Sequence, residues 1–285
     1  MSSNSFNTQN TIDVIKDYLD DKIYSYAIML DGEWGSGKTY FVKNILEKDI
    51  NKKIIYVSLY GINSLDEISN AIIFSSLKNK NNKVVIASNL GINIGKLLLN
   101  NYLPKEVVEI KKELLESLDF KGIFEDNKLK NKFLIFDDLE RCKLPLNEVL
   151  GYINNYIEHQ NVKVMIVANE NKIKENFENY TKIKEKLISQ TINYIPNLKN
   201  SIENILKNSD INEELKNILK QEETIEVCVN MMNKEQHLNL RTYQFFLSKI
   251  NILYSKIFNN IENINEKDKL IFELIQILLC YSYFV

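Results

Sequence analysis

A chain of 285 residues, 45% of them hydrophobic, can bury one substantial core and carry a smaller appended domain. Its 36 basic and 38 acidic residues leave a formal charge of −2, which removes the bulk electrostatic case for a nucleic-acid binder. Cys142, Cys228 and Cys280 are scattered, without CxxC or metal spacing, and fit the reduced thiols of a cytoplasmic protein better than a disulfide framework.

In chain order, the polar first ten residues lack the layout of a secretion signal. A helix is expected near Thr11–Asp21, then a strand over Tyr26–Leu30. A glycine-rich turn leads into a helix from Thr39 to Leu46, and Lys53–Leu59 reads as the next strand. Ser64-Leu65-Asp66-Glu67 is a capping box opening a helix to about Lys78. The run from Val84 to Leu99 is too short, and too broken by Ser88, Asn89, Asn93 and Lys96, to span a bilayer, which takes about 20 apolar residues; a packed or oligomer-contacting insertion is expected there. Pro104 opens a helix with Val107, Ile110, Leu114 and Leu118 along one face. Strands follow at Lys132–Phe136, Val162–Ala168 and Thr191–Ile195, with a helix opened by Pro145 after the first of them. Beyond Asn197 the apolar spacing is helical almost throughout, and Lys269–Val285 reads as a buried terminal helix. The expected fold is α/β, a parallel sheet between helices over residues 1–196, followed by a smaller all-helical lid or lever over residues 197–285.

Two motifs carry chemistry. Gly32-Glu33-Trp34-Gly35-Ser36-Gly37-Lys38-Thr39 is the phosphate-binding pattern G-x-x-x-x-G-K-[ST], set between a strand and a helix as the motif requires. Glycine lets successive backbone N–H groups converge on phosphate oxygens, while Lys38 would reach the β- and γ-phosphates and the Thr39 hydroxyl would ligate Mg²⁺. About a hundred residues on, Lys132-Phe133-Leu134-Ile135-Phe136-Asp137-Asp138-Leu139-Glu140-Arg141 is an apolar strand ending in acids, the Walker B pattern. Asp137 is expected to position Mg²⁺, and Asp138 to orient or deprotonate the attacking water, with Glu140 as the substitute. Asn169, at the tip of the following strand, suits a γ-phosphate sensor. Asn also favours such turns for local reasons. The adjacent Asn171-Lys172-Ile173-Lys174 misses the guanine-reading pattern N-K-x-D at Lys174, which favours ATP over GTP.

Arg141 and Arg241 are the only arginines among the 36 basic residues, so each fixed, bidentate guanidinium needs its own explanation. Arg141 follows the Walker B acids and either pairs locally or acts on a phosphate. Arg241, at the start of a helix in the C-terminal part, is placed for a nucleotide sensor or for an ordinary surface role. His159 and His237 have no partner motif and read as surface or capping residues.

G-E-W-G-S-G-K-T together with F-D-D-L-E-R resembles the KAP family of P-loop ATPases, in the branch that includes AAA+ and STAND proteins. The resemblance covers roughly residues 20–245 and rests on the loop and Walker B. It implies ATP and Mg²⁺ binding, slow or regulated hydrolysis, and nucleotide-controlled assembly. A homo-oligomer and a protein effector partner are therefore expected. Bacterial members are associated with defence against phage, and the heavy use of Ile, Asn and Lys suggests an AT-rich bacterial genome. Many relatives carry transmembrane helices between the two motifs, which this sequence lacks. Two rival readings stand beside the ATPase: a nucleotide-gated scaffold with little turnover, and a DNA-processing accessory ATPase.

Overall fold

The structure, a computed structural model, describes residues 5–6, 8–23, 25–77, 129, 131–177, 180–234, 239–258 and 267–284. The chain divides into two compact units. One holds Asn10–Gly32 and Thr39–Asn193; the other holds Ser5–Gln9, Glu33–Lys38 and Tyr194–Val285. The insertion read over 84–99, the helix opened by Pro104 and His237 lie outside the described residues.

Strand β1 (Ser5–Phe6) and helix α1 (Thr8–Asp20) open the chain. The first unit is built on β2 (Ala27–Asp31), β3 (Lys53–Ser58), β4 (Lys132–Asp137), β5 (Lys163–Ala168) and β6 (Ile188–Tyr194). Within it the five strands are parallel neighbours in the order β6-β2-β5-β4-β3. This is the parallel sheet expected from the alternation of apolar runs with helical spacing. β2, β4 and β5 are nearly continuous apolar runs because both their faces are covered. β6 starts at Ile188, earlier than its apolar spacing suggests, because Ser189 and Gln190 are both exposed where the β2–β6 register shifts and the alternation of faces is interrupted.

The flanking helices are α2 (Lys38–Tyr40), running through a π-helical stretch (Phe41–Leu46) into α3 (Glu47–Asp49), then α4 (Leu65–Leu77), α5 (Leu146–Glu158), α6 (Glu170–Asn176) and α7 (Tyr180–Leu187). The capping box at α4 is present in modified form. Ser64 Oγ accepts from the Glu67 N–H at 3.3 Å, while Glu67 reaches back to the N–H of Asn63, at 2.8 Å. Ile68 and Ile72 of α4 join Val149, Leu150 and Ile153 of α5 with Met29, Leu134 and Ile166 of the sheet in one core. Tyr18 locks α1 onto the sheet: its hydroxyl accepts from the Val164 N–H at 2.8 Å and lies 2.7 Å from the Tyr26 carbonyl.

The second unit's C-terminal part is helical: α8 (Leu198–Asn208), α9 (Glu213–Leu219), α10 (Glu222–Lys234), α11 (Leu240–Phe258) and α12 (Lys267–Phe284). Ile202 and Leu206, Leu215 and Leu219, Ile225 and Cys228, Phe246 and Ile250, Ile271 and Ile275 recur at helical spacing and close a second core. Asn197 and Asn212 cap α8 and α9 through their side-chain oxygens. Among the described residues no helix is long and apolar enough to cross a membrane.

Candidate functional site

The glycine-rich loop begins where β2 ends. The Gly32 N–H donates to the Ala168 carbonyl at 3.2 Å, so the first loop residue is tied to the end of β5. Gly35 and Gly37 hold φ of +80° and +89°, values that side chains disfavour and glycine accepts. A Cβ on Gly35 would also fall 1.9 Å from Asn239 Oδ1, and one on Gly37 3.1 Å from Leu240 Cδ1. The loop and the start of α11 are joined by a backbone bond from the Leu240 N–H to the Gly35 carbonyl, 2.9 Å. Lys38 is buried and donates to the Glu33 carbonyl at 3.0 Å, the compact pose of a cation curled over its own loop. Ser36 Oγ is buried with no hydrogen-bond partner among the described residues. A buried hydroxyl of that kind costs free energy unless a ligand meets it, and a phosphate oxygen would. Trp34 is 41% exposed on the same loop.

In the first unit, the end of β4 gathers four other side chains. Thr39 Oγ1 donates to Asp137 Oδ2 at 2.7 Å, and Tyr56 donates to the same oxygen at 2.6 Å. Asp137 Oδ1 accepts from the Asp138 N–H at 2.8 Å. Asp137 is buried, so these donors offset the cost of removing an ionised carboxylate from water. Burial and the adjacent Asp137 and Asp138 carboxylates push the Tyr56 phenol well above its ordinary range, so it stays a donor. Asp138 takes the left-handed conformation, φ 61° and ψ 38°, and its Oδ2 accepts from Ser58 Oγ at 2.9 Å. Glu140 and Arg141 follow in a 3₁₀ turn, Leu139–Arg141, and the Arg141 guanidinium lies 5.4 Å from the Tyr60 ring centre.

The end of β5 forms a second polar cluster in this unit. Asn169, 1% exposed, caps α6 by accepting from the Lys172 N–H at 3.3 Å. The local, helix-capping use of an Asn at this turn is thus present in the fold. The Glu170 N–H donates to Asp31 Oδ1 at 2.7 Å, fastening the end of β5 to the end of β2. Burial works to raise the Glu170 carboxyl, but Lys184 at 2.6 Å and Lys174 at 3.4 Å outweigh it and hold the group below its usual range. Lys174, the residue that breaks the guanine motif, therefore serves an ion pair on α6.

Arg241 lies in the second unit, exposed near the start of α11, where its N–H is capped by Asn239 Oδ1 at 3.0 Å. The first unit thus brings Thr39, Asp137 and Asp138 together, while Glu33–Lys38 groups with Asn239 and Leu240 in the second. His159 is exposed at the C-terminal end of α5, and Cys142 and Cys228 are free thiols.

Tyr56 and Ser58 were not singled out by motif. They sit two apart on β3, in parallel register with β4, with Ser58 opposite Asp137. That alternation is the signal that could have found them. Asn239 and Leu240 likewise become legible only through their approach to Gly35.

The donor set suits a hard divalent cation. Among the described residues no cluster of three or more His, Cys, Asp or Glu side chains could enclose a metal. The Thr39 hydroxyl and the Asp137 carboxylate, in hydrogen-bond contact at 2.7 Å, are oxygen donors of the kind Mg²⁺ takes.

The model of the KAP family P-loop domain matches residues 8–257. No curated protein matches the chain. Among solved structures, the chain is similar to the Aeropyrum pernix ORC1 protein in complex with DNA, at 15% identity and TM-score 0.43, over 94% of this chain and 63% of that one. It is also similar to Drosophila ORC bound to DNA, at 14% identity and TM-score 0.37, over 96% of this chain and 62% of that one. The chain therefore spans less than two thirds of the length of these neighbours.

Proposed function

The chain belongs to the KAP family of P-loop domains, and from that premise we propose that it binds ATP with Mg²⁺, hydrolyses it slowly, and passes nucleotide state to its helical unit and onward to self-assembly or an effector partner. The observation that carries this reading is the 2.7 Å bond from Thr39 to Asp137, which joins the phosphate loop's last residue to the Walker B acid across 98 positions of sequence. Thr39 gives its proton to Asp137, so its own lone pairs remain for a cation.

In this reading the loop N–H groups, Ser36 and Lys38 hold the phosphates, and Thr39 and Asp137 hold the metal. Bound Mg²⁺ supplies charge neutralisation on the phosphates. Asp138 aligns water, with Glu140 as the substitute. Asn169 and Arg241 report the γ-phosphate. Arg141 braces the acids or reaches a neighbouring subunit's site, and an arginine supplied in trans raises phosphoryl transfer by about 10³–10⁵. The Leu240–Gly35 bond supports the coupling to α11. At the level of the cell we propose, from the family alone, a role in defence against phage, to be checked by plaque counts with and without the gene.

The test is ATP turnover per subunit against protein concentration, with Trp34 emission followed in parallel. Turnover that rises with concentration and is lost in Lys38→Ala and Arg141→Ala is the expected result. A Trp34 response with no turnover at any concentration replaces the enzyme with a nucleotide-gated switch. Turnover that appears only with DNA, and fades steeply with salt, replaces it with a DNA-dependent ATPase.

A further inference from the structure

We propose that Tyr56 decides how this site meets its divalent cation. By filling the second lone pair of Asp137 Oδ2, it keeps that oxygen out of the metal's inner shell and so selects a cation that keeps its waters. The inference rests on the nucleotide-site reading above and assigns a new positioning residue to it.

An ionised carboxylate offers about four lone-pair positions, two on each oxygen. Asp137 Oδ2 accepts from Thr39 and from Tyr56, at 2.7 and 2.6 Å, and is thereby saturated. One position on Oδ1 is taken by the Asp138 N–H at 2.8 Å. Among the described residues a single position on Oδ1 is left. Thr39 and the Asp138 N–H already fix the carboxylate's rotation from both oxygens. The phenol is therefore not needed to orient Asp137, and its effect is to close a coordination position.

Tyr56 is itself held in place. Its backbone N–H donates to Ser75 Oγ of α4 at 3.1 Å, and the Lys43 ammonium lies 3.9 Å from the ring centre. Strand β3 is in parallel register with β4 from Lys53 to Ser58, so the phenol reaches Asp137 from a fixed element. The phenol is thus carried on a fixed strand, with the Lys43 ammonium against its ring and its hydroxyl on Asp137.

The cation consequence follows from hydration. Mg²⁺ dehydrates reluctantly and keeps several waters, whereas Ca²⁺ takes carboxylate oxygens directly in flexible geometry. A carboxylate with one exposed position suits contact through a metal-bound water. Opening Oδ2 favours direct coordination, and so shifts preference from Mg²⁺ toward Ca²⁺. Outer-shell hydrogen bonds of this kind commonly change metal affinity by about 10–100-fold.

The experiment measures Mn²⁺ binding to the full chain with a non-hydrolysable ATP analogue, by the resonance signal of free Mn²⁺, and then displaces it with Mg²⁺ or Ca²⁺. In Tyr56→Phe the Ca²⁺:Mg²⁺ affinity ratio is expected to rise about tenfold, with analogue binding in the absence of metal unchanged by Trp34 emission. Tyr56→Gln, which returns a donor, is expected to restore the ratio. Where melting curves show that phenylalanine is not tolerated, Tyr56→Leu serves in its place. A ratio equal to wild type in a folded, donor-less variant overturns the proposal. Failure of the wild-type chain to bind the analogue at all overturns instead the nucleotide-site reading beneath it.

Discussion

Ser58 Oγ donates to Asp138 Oδ2 across 2.9 Å, and Asp138 holds a left-handed backbone at φ 61° and ψ 38°. The carboxylate next to the Walker B acid is thus fixed at both ends, by its backbone conformation and by a hydroxyl from the neighbouring strand. Asp and Asn visit this conformation readily, while other side chains with a Cβ strain it by about 1–2 kcal/mol. Asp138→Asn should therefore fold and bind nucleotide normally yet lose turnover, whereas Asp138→Ala should also melt earlier. Removing the tether in Ser58→Ala should cost about 1 kcal/mol of stability and lower turnover a few-fold at unchanged nucleotide affinity. Turnover and Trp34 titrations on the three variants check this. Full activity in Asp138→Asn would move the water-aligning role to Glu140.

Gly35 tolerates a side chain less than Gly37 does. Its φ is +80°, and an added Cβ would overlap Asn239 Oδ1 at 1.9 Å. Gly37, at φ +89°, meets only the Leu240 Cδ1 methyl at 3.1 Å. Both alanine variants bear the backbone strain of about 1–2 kcal/mol, but only Gly35→Ala must also displace Asn239, which caps α11. The expected result is a lower melting temperature for Gly35→Ala than for Gly37→Ala. Equal melting temperatures would mean that Asn239 yields freely.

How much of this could be read beforehand follows from the range of each interaction. The loop and the acids were legible because their requirements are local: Gly35 and Gly37 encode their own positive φ, and Asp137 ends an apolar run whose burial is visible in Phe133–Phe136. The helical second core was legible in spacings such as Ile271 and Ile275. Tyr56 and Ser58 were not, since their partners lie about eighty positions away and are set by the register of β3 on β4. The approach of Asn239 to Gly35 is equally non-local. The start of β6 was missed because a register shift against β2 leaves the adjacent Ser189 and Gln190 both exposed, which breaks the period-two pattern. Asn169 was ambiguous for a physical reason: one amide suits both a helix cap and a phosphate contact, and the cap is present.

The Glu170–Lys184 pair makes a pH-dependent contribution. Burial favours the neutral carboxyl, but Lys184 and Lys174 hold it below the ordinary Glu value of about 4.3. A depressed carboxylate stabilises the fold above that value, and the contribution is lost as pH falls through the lowered one. Lys184→Ala leaves Glu170 buried with less compensation, at a cost of about 1.5–3 kcal/mol at pH 7. As the pH falls below the ordinary Glu value toward the lowered one, the wild-type chain progressively loses the same interaction, so the deficit should shrink. Melting temperatures of both proteins at pH 7 and pH 3.5 measure it, and an equal deficit at both would remove the ion pair as the cause.

The backbone bond from Leu240 to Gly35 can be cut without removing the helix it starts. Leu240 is the first residue of α11, after the Asn239 cap, and proline is tolerated there because the first helical N–H has no partner within its own helix. Leu240→Pro thus deletes the 2.9 Å donor to the loop, and Leu240→Ala keeps it while removing the same apolar side chain. If loop occupancy reaches the helical unit through this bond, adding an ATP analogue should slow amide exchange along the first turns of α11 in the wild type and in Leu240→Ala, but not in Leu240→Pro. Equal protection in all three would mean that nucleotide state travels by another route, and Arg241 would be the next side chain to remove.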